Sequence, residues 1–177
     1  RPCAVQTMTK PQTATLTATL DQLRRCAEAG ADIVRVAVPR EQDVEALKTI
    51  VAQSPVPVIA DIHFNHTLAL KAIDAGAACV RLNPGNIGGP DKVAEVVAAA
   101  KKVNMPMRIG ANSGSLPKHL EELAQEDQAA ALVEAALEEV RLLEQLDYRN
   151  FKLSVKSSHV PTMIRSYRVL ASRGPYP

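Results

Sequence analysis

The sequence predicts an α/β protein built on a parallel (β/α) barrel of the TIM type, incomplete, with about six βα units in its 177 residues. Short runs rich in β-branched residues alternate with Ala- and Leu-rich stretches in which apolar residues recur at helical spacing. Within the predicted strands, apolar and polar residues alternate. The length falls short of the roughly 250 residues of a complete eight-unit barrel, so the chain is expected to be a fragment.

The individual elements follow from these local patterns. Strands are predicted at residues 4–9, 32–38, 58–63, 79–83, 107–111 and 151–156. Helices are predicted at residues 14–29, 41–52, 67–75, 92–103, 128–146 and 160–172, with a short extra helix at 118–125. Pro90 and Pro161 lie where a first helical turn accepts proline, and Gly30, Gly76 and Gly174 are expected to end helices in the left-handed conformation. Strands separated by helices require parallel pairing with right-handed crossovers.

The alternation within the strands decides between two architectures. A doubly wound sheet is buried on both faces and usually has nearly continuous apolar strands. Here one set of alternate residues is apolar and is expected to face the helices: Val34, Val36, Val38, Val58, Ala60, Ile62, Val80, Leu82, Met107, Ile109, Ala111, Leu153 and Val155. The other set carries the polar groups Arg35, Asp61, His63, Arg81, Asn83, Arg108, Asn112, Ser154 and Lys156. A barrel with polar side chains inside is favoured, with its site at the carboxyl ends of the strands.

Composition argues against several classes of function. Lys and Arg exceed Asp and Glu by only 21 to 19, and aromatic residues make up 3% of the chain, which argues against a nucleic-acid partner. The longest uncharged run, residues 49–60, is too short to cross a membrane, and no secretory leader is recognised, so a cytoplasmic protein is expected. Cys3, Cys26 and Cys79 are widely spaced, which favours reduced thiols; Cys26 and Cys79 are expected to be small buried residues.

Four inward cations indicate an anionic ligand. Arg35, Arg81, Arg108 and Lys156 share the polar face, and Asp61 is the acidic residue among them. Because an unpaired buried charge costs several kcal/mol, the expected counter-charge is a ligand, and three arginines suit a diphosphate better than one carboxylate. The loops 83–89 and 112–115 add donors, whereas no Walker or dinucleotide motif is present.

Blander interpretations of the same residues stay open. A single strand-end arginine is as readily a solvated or salt-bridged charge, and Asp61 could simply pair with one. His63 alone is more often structural than a metal ligand. Lys156 could instead form a Schiff base if its pKa were lowered.

Several long motifs in order carry a family resemblance. They are IVRVAVP (33–39), PVIADIHF (57–64), VRLNPGNIG (80–88), RIGANSGS (108–115) and KLSVKSSHVPTMIRSYR (152–168). Over residues 5–177 the chain resembles the 4-hydroxy-3-methylbut-2-enyl diphosphate synthases, iron–sulfur enzymes of the methylerythritol phosphate route to isoprenoids. The resemblance implies a cytoplasmic enzyme, or a plastid one in a plant or alga. It would reductively open 2-C-methyl-D-erythritol 2,4-cyclodiphosphate with two electrons and expel a hydroxyl as water.

The resemblance also assigns roles to matching residues. It implies that Arg35, Arg81, Arg108 and Lys156 hold the diphosphate, whereas Asp61, His63, Asn83 and Asn112 position the substrate and its phosphates. The family's acid/base glutamate is expected beyond Pro177, so no catalytic residue is assigned within this chain. Thr7 stands where the family usually has serine, which leaves the role of that hydroxyl open.

The family's redox centre is expected outside this chain. The resemblance implies a [4Fe–4S] cluster on a C-terminal domain, held by three cysteines and a glutamate, and Cys3, Cys26 and Cys79 do not match those positions. No metal site is therefore expected here, and residues 1–177 alone, a partial substrate-binding barrel, are expected to be inactive. The implied partners are a flavodoxin or ferredoxin electron donor and a second subunit in a homodimer.

Two other function classes are consistent with the residues. One is a barrel transferase or lyase acting on a phosphorylated substrate, similar to dihydropteroate synthases or using Lys156 as a Schiff base. The other is a noncatalytic phosphate-binding or assembly module, since an open sheet exposes its edges.

Overall fold

A computed structural model describes residues 3–63, 65–84 and 87–177 and places six parallel strands in one curled sheet. The spatial order of these strands is the chain order, β1-β2-β3-β4-β5-β6. The strands are β1 (Gln6–Met8), β2 (Ile33–Ala37), β3 (Val58–Asp61), β4 (Cys79–Arg81), β5 (Met107–Ile109) and β6 (Phe151–Leu153). The sheet confirms the predicted incomplete (β/α) barrel.

Helices alternate with the strands as predicted. They are α1 (Leu16–Glu28), α2 (Glu41–Gln53), α3 (His66–Asp74), α4 (Pro90–Lys102), α5 (Glu121–Glu126), α6 (Gln128–Gln145) and α7 (Val160–Arg173). The short helix predicted at 118–125 is a 3-10 turn, Lys118–Leu120, followed by α5. Pro90 and Pro161 lie in first turns, where a missing N–H leaves no helical bond unmade.

The apolar residues of alternate strand positions form the core between the sheet and the helices. Val34, Val36, Ala60 and Val80 are fully buried there. The helices contribute apolar stripes to the same core, for example through Leu47 of α2. A second cluster, which includes Leu132 of α6, lies under the last units.

The register aligns the polar residues on the inner face. One row across the strands consists of Ala37, Asp61, Arg81, Arg108 and Lys152. The preceding row consists of Met8, Arg35, Ile59 and Cys79. Residues in register on neighbouring strands point to the same side of a sheet, so the arginines and Asp61 share the inside.

The structure differs from the prediction in two details. Every strand is shorter than predicted, although single backbone hydrogen bonds continue past the strand ends, for example from the Ile62 N–H to the Arg81 carbonyl oxygen. Gly174 does not end α7 in the left-handed conformation: its φ is 175°, an extended value, whereas Gly30 and Gly76 have φ values of 94° and 80° as predicted. Among the described residues, no helix is long and apolar enough to cross a membrane.

Candidate functional site

The carboxylate of Asp61 lies at the centre of a charged cluster on the inner face. The residue is 3% exposed at the end of β3. Its Oδ1 accepts a hydrogen bond from Arg81 Nη1 at 3.1 Å, and its Oδ2 lies 3.4 Å from Arg35 Nε. His63 Nε2 lies 3.5 Å from Oδ1 at the exposed rim. One buried carboxylate therefore faces two arginines, so the alternative in which Asp61 pairs with an inward arginine is correct.

Arg108 and Lys156 complete the positive charge of this cluster. Burial lowers the pKa of Arg108, and the charges of Arg35 and Arg81 lower it further. The pKa of Lys156 is lowered by burial and then by the charges of Arg35, Arg81 and Arg108. These four cations are thus close enough to repel one another, as the strand alternation predicted.

The remaining predicted site residues lie just beyond the ladder. Asn83 follows β4 and is half-buried. Asn112 pairs with Lys156 through an isolated parallel bridge, and its Oδ1 accepts from the Gly114 N–H at 3.2 Å. The bridge links the two strand ends that carry the Arg108 and Lys156 side chains. Residues 85 and 86 of the predicted donor loop lie outside the described residues.

One buried donor in the cluster has no hydrogen-bond acceptor. Arg35 Nη2 donates to Met8 Sδ at 3.3 Å, whereas Arg35 Nε makes no hydrogen bond within residues 3–63, 65–84 and 87–177. Asp61 is within ion-pair distance of Nε but is not aligned to accept from it. Thr7 is in register with Val34, on the side that faces the helices, so its hydroxyl is not directed into this cluster. A buried unpaired guanidinium N–H favours an additional acceptor at this position.

Glu139 of α6 is a residue of the site region that the sequence reasoning missed. It is 9% exposed, and its Oε2 accepts from the Gly110 N–H at 2.7 Å. Burial raises its pKa to about 8, against the opposing effects of the Gly110 hydrogen bond and the Arg81 charge. A signal existed in the sequence: Glu139 falls on the helical stripe of Leu132 and Leu143, where an apolar residue is expected.

The cysteines do not fit the implied iron–sulfur cluster. Cys79 is buried on the inner face as predicted, where burial raises its pKa, Cys26 is only partly buried, and Cys3 is exposed. Within the part of the chain that the structure describes, no group of three or more His, Cys, Asp or Glu side chains is placed to hold a metal ion. Cluster ligands are thiolates gathered at one point, so these residues do not form such a site.

Comparison with known proteins gives the cluster a family context. The sequence pattern of the GcpE TIM-barrel domain matches residues 1–177. The chain belongs to this family. The GcpE assignment confirms the family that the motifs indicated.

Curated relatives of this GcpE barrel carry one name. Proteins from Magnetococcus marinus and Geobacter sulfurreducens are each 52% identical to the chain over 176 residues and are called 4-hydroxy-3-methylbut-2-en-1-yl diphosphate synthase (flavodoxin). The match covers 99% of this chain in both cases, but 47% and 50% of the two relatives. The chain therefore spans about half the length of the curated relatives it matches.

Similarity to solved structures shows the fold of this GcpE barrel but not its reaction. The dihydropteroate synthase from Yersinia pestis superposes with a TM-score of 0.65 at 13% identity, over 96% of this chain and 64% of that one. The dihydropteroate synthase from Xanthomonas albilineans gives 0.62 at 18% identity, with the same two shares. At such identities the likeness shows a shared barrel architecture and not a shared reaction.

Proposed function

We propose that this chain is the diphosphate-binding barrel of a 4-hydroxy-3-methylbut-2-enyl diphosphate synthase. The substrate would be 2-C-methyl-D-erythritol 2,4-cyclodiphosphate, which is reductively opened with two electrons while a hydroxyl leaves as water. The name of the curated relatives supports this reaction. The barrel would contribute binding, orientation and charge stabilisation.

The observation that carries the proposal is the uncompensated positive charge on the inner face. Arg35, Arg81, Arg108 and Lys156 face Asp61, which has 3% exposure and hydrogen-bonds Arg81. Glu139 also lies near Arg81, but with a pKa of about 8 it is mostly protonated at neutral pH and adds little negative charge. A diphosphate supplies both the missing negative charge and oxygen acceptors for the guanidinium groups.

Separate roles follow for the eight residues. The three arginines would grip phosphate oxygens through their planar forks, and Lys156 would add a mobile point charge at the exposed rim. Asp61 would hold Arg35 and Arg81 at a fixed separation before the ligand arrives. His63, Asn83 and Asn112, at the strand ends, would orient the carbon skeleton and the phosphates.

The redox parts of the reaction belong to the rest of the protein. We propose that a [4Fe–4S] cluster, bound by residues outside this chain, supplies the electrons, and that flavodoxin or ferredoxin delivers them. The word "flavodoxin" in the relatives' name supports the first donor. A cytoplasmic location and a homodimer are predictions from the family resemblance. Light scattering of the full-length protein tests the homodimer.

The proposal is tested by removing one cation at a time from the full-length protein. Arg81→Ala and Arg108→Ala are each expected to raise the Kd for the cyclodiphosphate by roughly ten- to a hundredfold, because charge-assisted hydrogen bonds contribute about 1.5–3 kcal/mol. Isothermal titration calorimetry measures this loss. Arg141→Ala is the matched control, since Arg141 is an exposed arginine on α6 that pairs with Glu134 at 2.5 Å. Unchanged affinity in both site variants would disprove the diphosphate assignment.

A Schiff-base reaction at Lys156 is the second candidate, favoured by the lowered pKa of this lysine. Borohydride treatment in the presence of substrate separates the two functions. Covalent trapping on Lys156 would support the lyase, whereas loss of activity on removal of iron would support the reductase.

A further inference from the structure

A cavity of about 360 Å³ lies between the ends of β4 and β5 and helix α6. Asn83 and Pro84 line it on the β4 side, and Ala111 lines it on the β5 side. Glu139 of α6 lines the same cavity. The cavity lies directly beside a predicted substrate residue, Asn83.

Glu139 replaces a missing hydrogen bond between the ends of β4 and β5. The ladder between β4 and β5 ends with the Leu82 N–H donating to the Arg108 carbonyl oxygen at 3.1 Å. In a continued parallel ladder, the next bond would run from the Gly110 N–H to the Leu82 carbonyl oxygen. The Gly110 N–H instead donates to Glu139 Oε2 at 2.7 Å. A helix side chain thus holds the end of β5 in place of the neighbouring strand.

Gly110 has little freedom on its other side. An added Cβ would lie 1.7 Å from the Ser154 carbonyl oxygen, so the backbone is seated closely against the chain after β6. Arg108 precedes Gly110 by two residues and Asn112 follows it by two, and all three belong to the inner face. The position of Gly110 therefore sets the spacing between two predicted diphosphate contacts.

We propose that Glu139 is a positioning residue that holds the carboxyl end of β5, and with it Arg108 and Asn112, in the orientation that binds the diphosphate. Glu139 acts through the backbone and does not touch the ligand. The inference rests on the proposed function, because it concerns the same anion site. It states that Glu139, which does not touch the ligand, maintains the geometry of that site.

Charges around Glu139 give the inference a pH signature. Arg81 approaches from β4, Glu138 neighbours it on α6, and His119 from the 3-10 turn lies 2.8 Å from Glu138. Below about pH 8 the carboxyl group accepts the Gly110 N–H while mostly uncharged. Above that pH its negative charge attracts Arg81 and repels the bound anion, so affinity is expected to fall.

The test compares two substitutions in the full-length protein. Glu139→Ala removes the acceptor and is expected to raise the Kd for the cyclodiphosphate about tenfold near about pH 6.5, but only about twofold near about pH 9, where the loss of the negative charge offsets part of the effect. Glu139→Gln retains a carbonyl acceptor and is expected to restore most of that loss at the lower pH. Because Gln stays neutral, it is expected to bind about fivefold more tightly than the wild type at the higher pH. Calorimetry measures the Kd of the wild type and of both Glu139 variants at the two pH values. The comparison separates the effect of Glu139 titration from that of other titrating residues.

Arg81→Ala separates the two proposals. If Arg81→Ala weakens binding while Glu139→Ala does not, the positioning role is wrong and the diphosphate site stands. If neither Arg81→Ala nor Arg108→Ala has an effect, the proposed function itself fails. If Glu139→Ala does not fold, the comparison of Glu139→Gln with the wild type is sufficient. The inference is wrong if the Kd for the cyclodiphosphate changes with pH in the same way in both proteins.

Discussion

Replacing Gly110 with alanine is expected to separate the carboxyl ends of β5 and β6. Gly110 has a φ of 148°, which L side chains rarely adopt, and a Cβ would lie 1.7 Å from the Ser154 carbonyl oxygen. Normal carbon–oxygen contacts begin near about 3.3 Å, so the backbones must move apart by about 1.6 Å. That movement stretches three bonds, which run from the Ser154 N–H to the Ile109 carbonyl oxygen, from the Lys156 N–H to the Ala111 carbonyl oxygen and from the Ser113 N–H to the Lys156 carbonyl oxygen.

The cost of this substitution combines strain and lost hydrogen bonds. The backbone conformation costs about 1–3 kcal/mol for a residue with a side chain, and each lost hydrogen bond about 1 kcal/mol. A total of about 4 kcal/mol is expected, which lowers Tm by roughly 10 °C for a domain of this size. Differential scanning calorimetry of the full-length protein measures the shift.

Gly30→Ala is the matched control for Gly110→Ala. Gly30 has a φ of 94°, but nothing lies within 4 Å of its added Cβ. Only the left-handed backbone is penalised there, at about 1–2 kcal/mol. Equal Tm losses in the two variants would refute the argument, because the close approach to Ser154 would then contribute nothing.

Three further predictions concern stability. Tyr148→Phe is expected to cost about 1–2 kcal/mol, measured by thermal unfolding, because it leaves the buried Met105 carbonyl oxygen without the phenol donor. Glu139→Gln is expected to stabilise the protein by up to about 3 kcal/mol near about pH 7.5. At this pH the Glu139 carboxyl group is protonated in the folded chain but ionised in the unfolded chain, which favours unfolding, and glutamine removes this difference. The gain should vanish as the pH falls to the ordinary pKa of a glutamate side chain, and a constant gain would contradict it. Hydrogen bonding from the Ala130 N–H lowers the pKa of Asp127. The wild type is therefore expected to have a higher Tm than Asp127→Asn, and this difference should disappear as the pH falls through the lowered pKa. A difference in Tm that does not change with pH would show that Asp127 acts only as a neutral cap.

The period of two in the strands was sufficient to predict the barrel and its charged interior. Arg35, Asp61 and Arg81 fall on one face because successive side chains of a strand point to opposite sides, whatever the tertiary context. Helix bounds were also close, for example 128–146 predicted against Gln128–Gln145 observed, because apolar residues recur at helical spacing along the whole helix.

What the sequence did not predict depends on contacts between distant elements. Glu139 follows another glutamate, and two adjacent charges on a helix are usually solvated. Its place on the apolar stripe of α6 indicates burial, but the partner that accounts for it, the Gly110 N–H, lies on a distant strand and is seen only in the structure. Likewise, the exact strand ends depend on pairing with neighbouring strands, which no local residue pattern records.

Strand order identical to chain order has a consequence for synthesis on the ribosome. Each new βα unit can dock on the one made just before it, so the barrel can grow from its N-terminal edge. Along this route Arg35 is joined first by Asp61 and only then by Arg81, which keeps the nascent interior nearly neutral through β4. Arg108 and Lys156 are added last, and their positive charges repel those of Arg35 and Arg81. Because a bound diphosphate would offset this repulsion, it would assist the folding of the final units most.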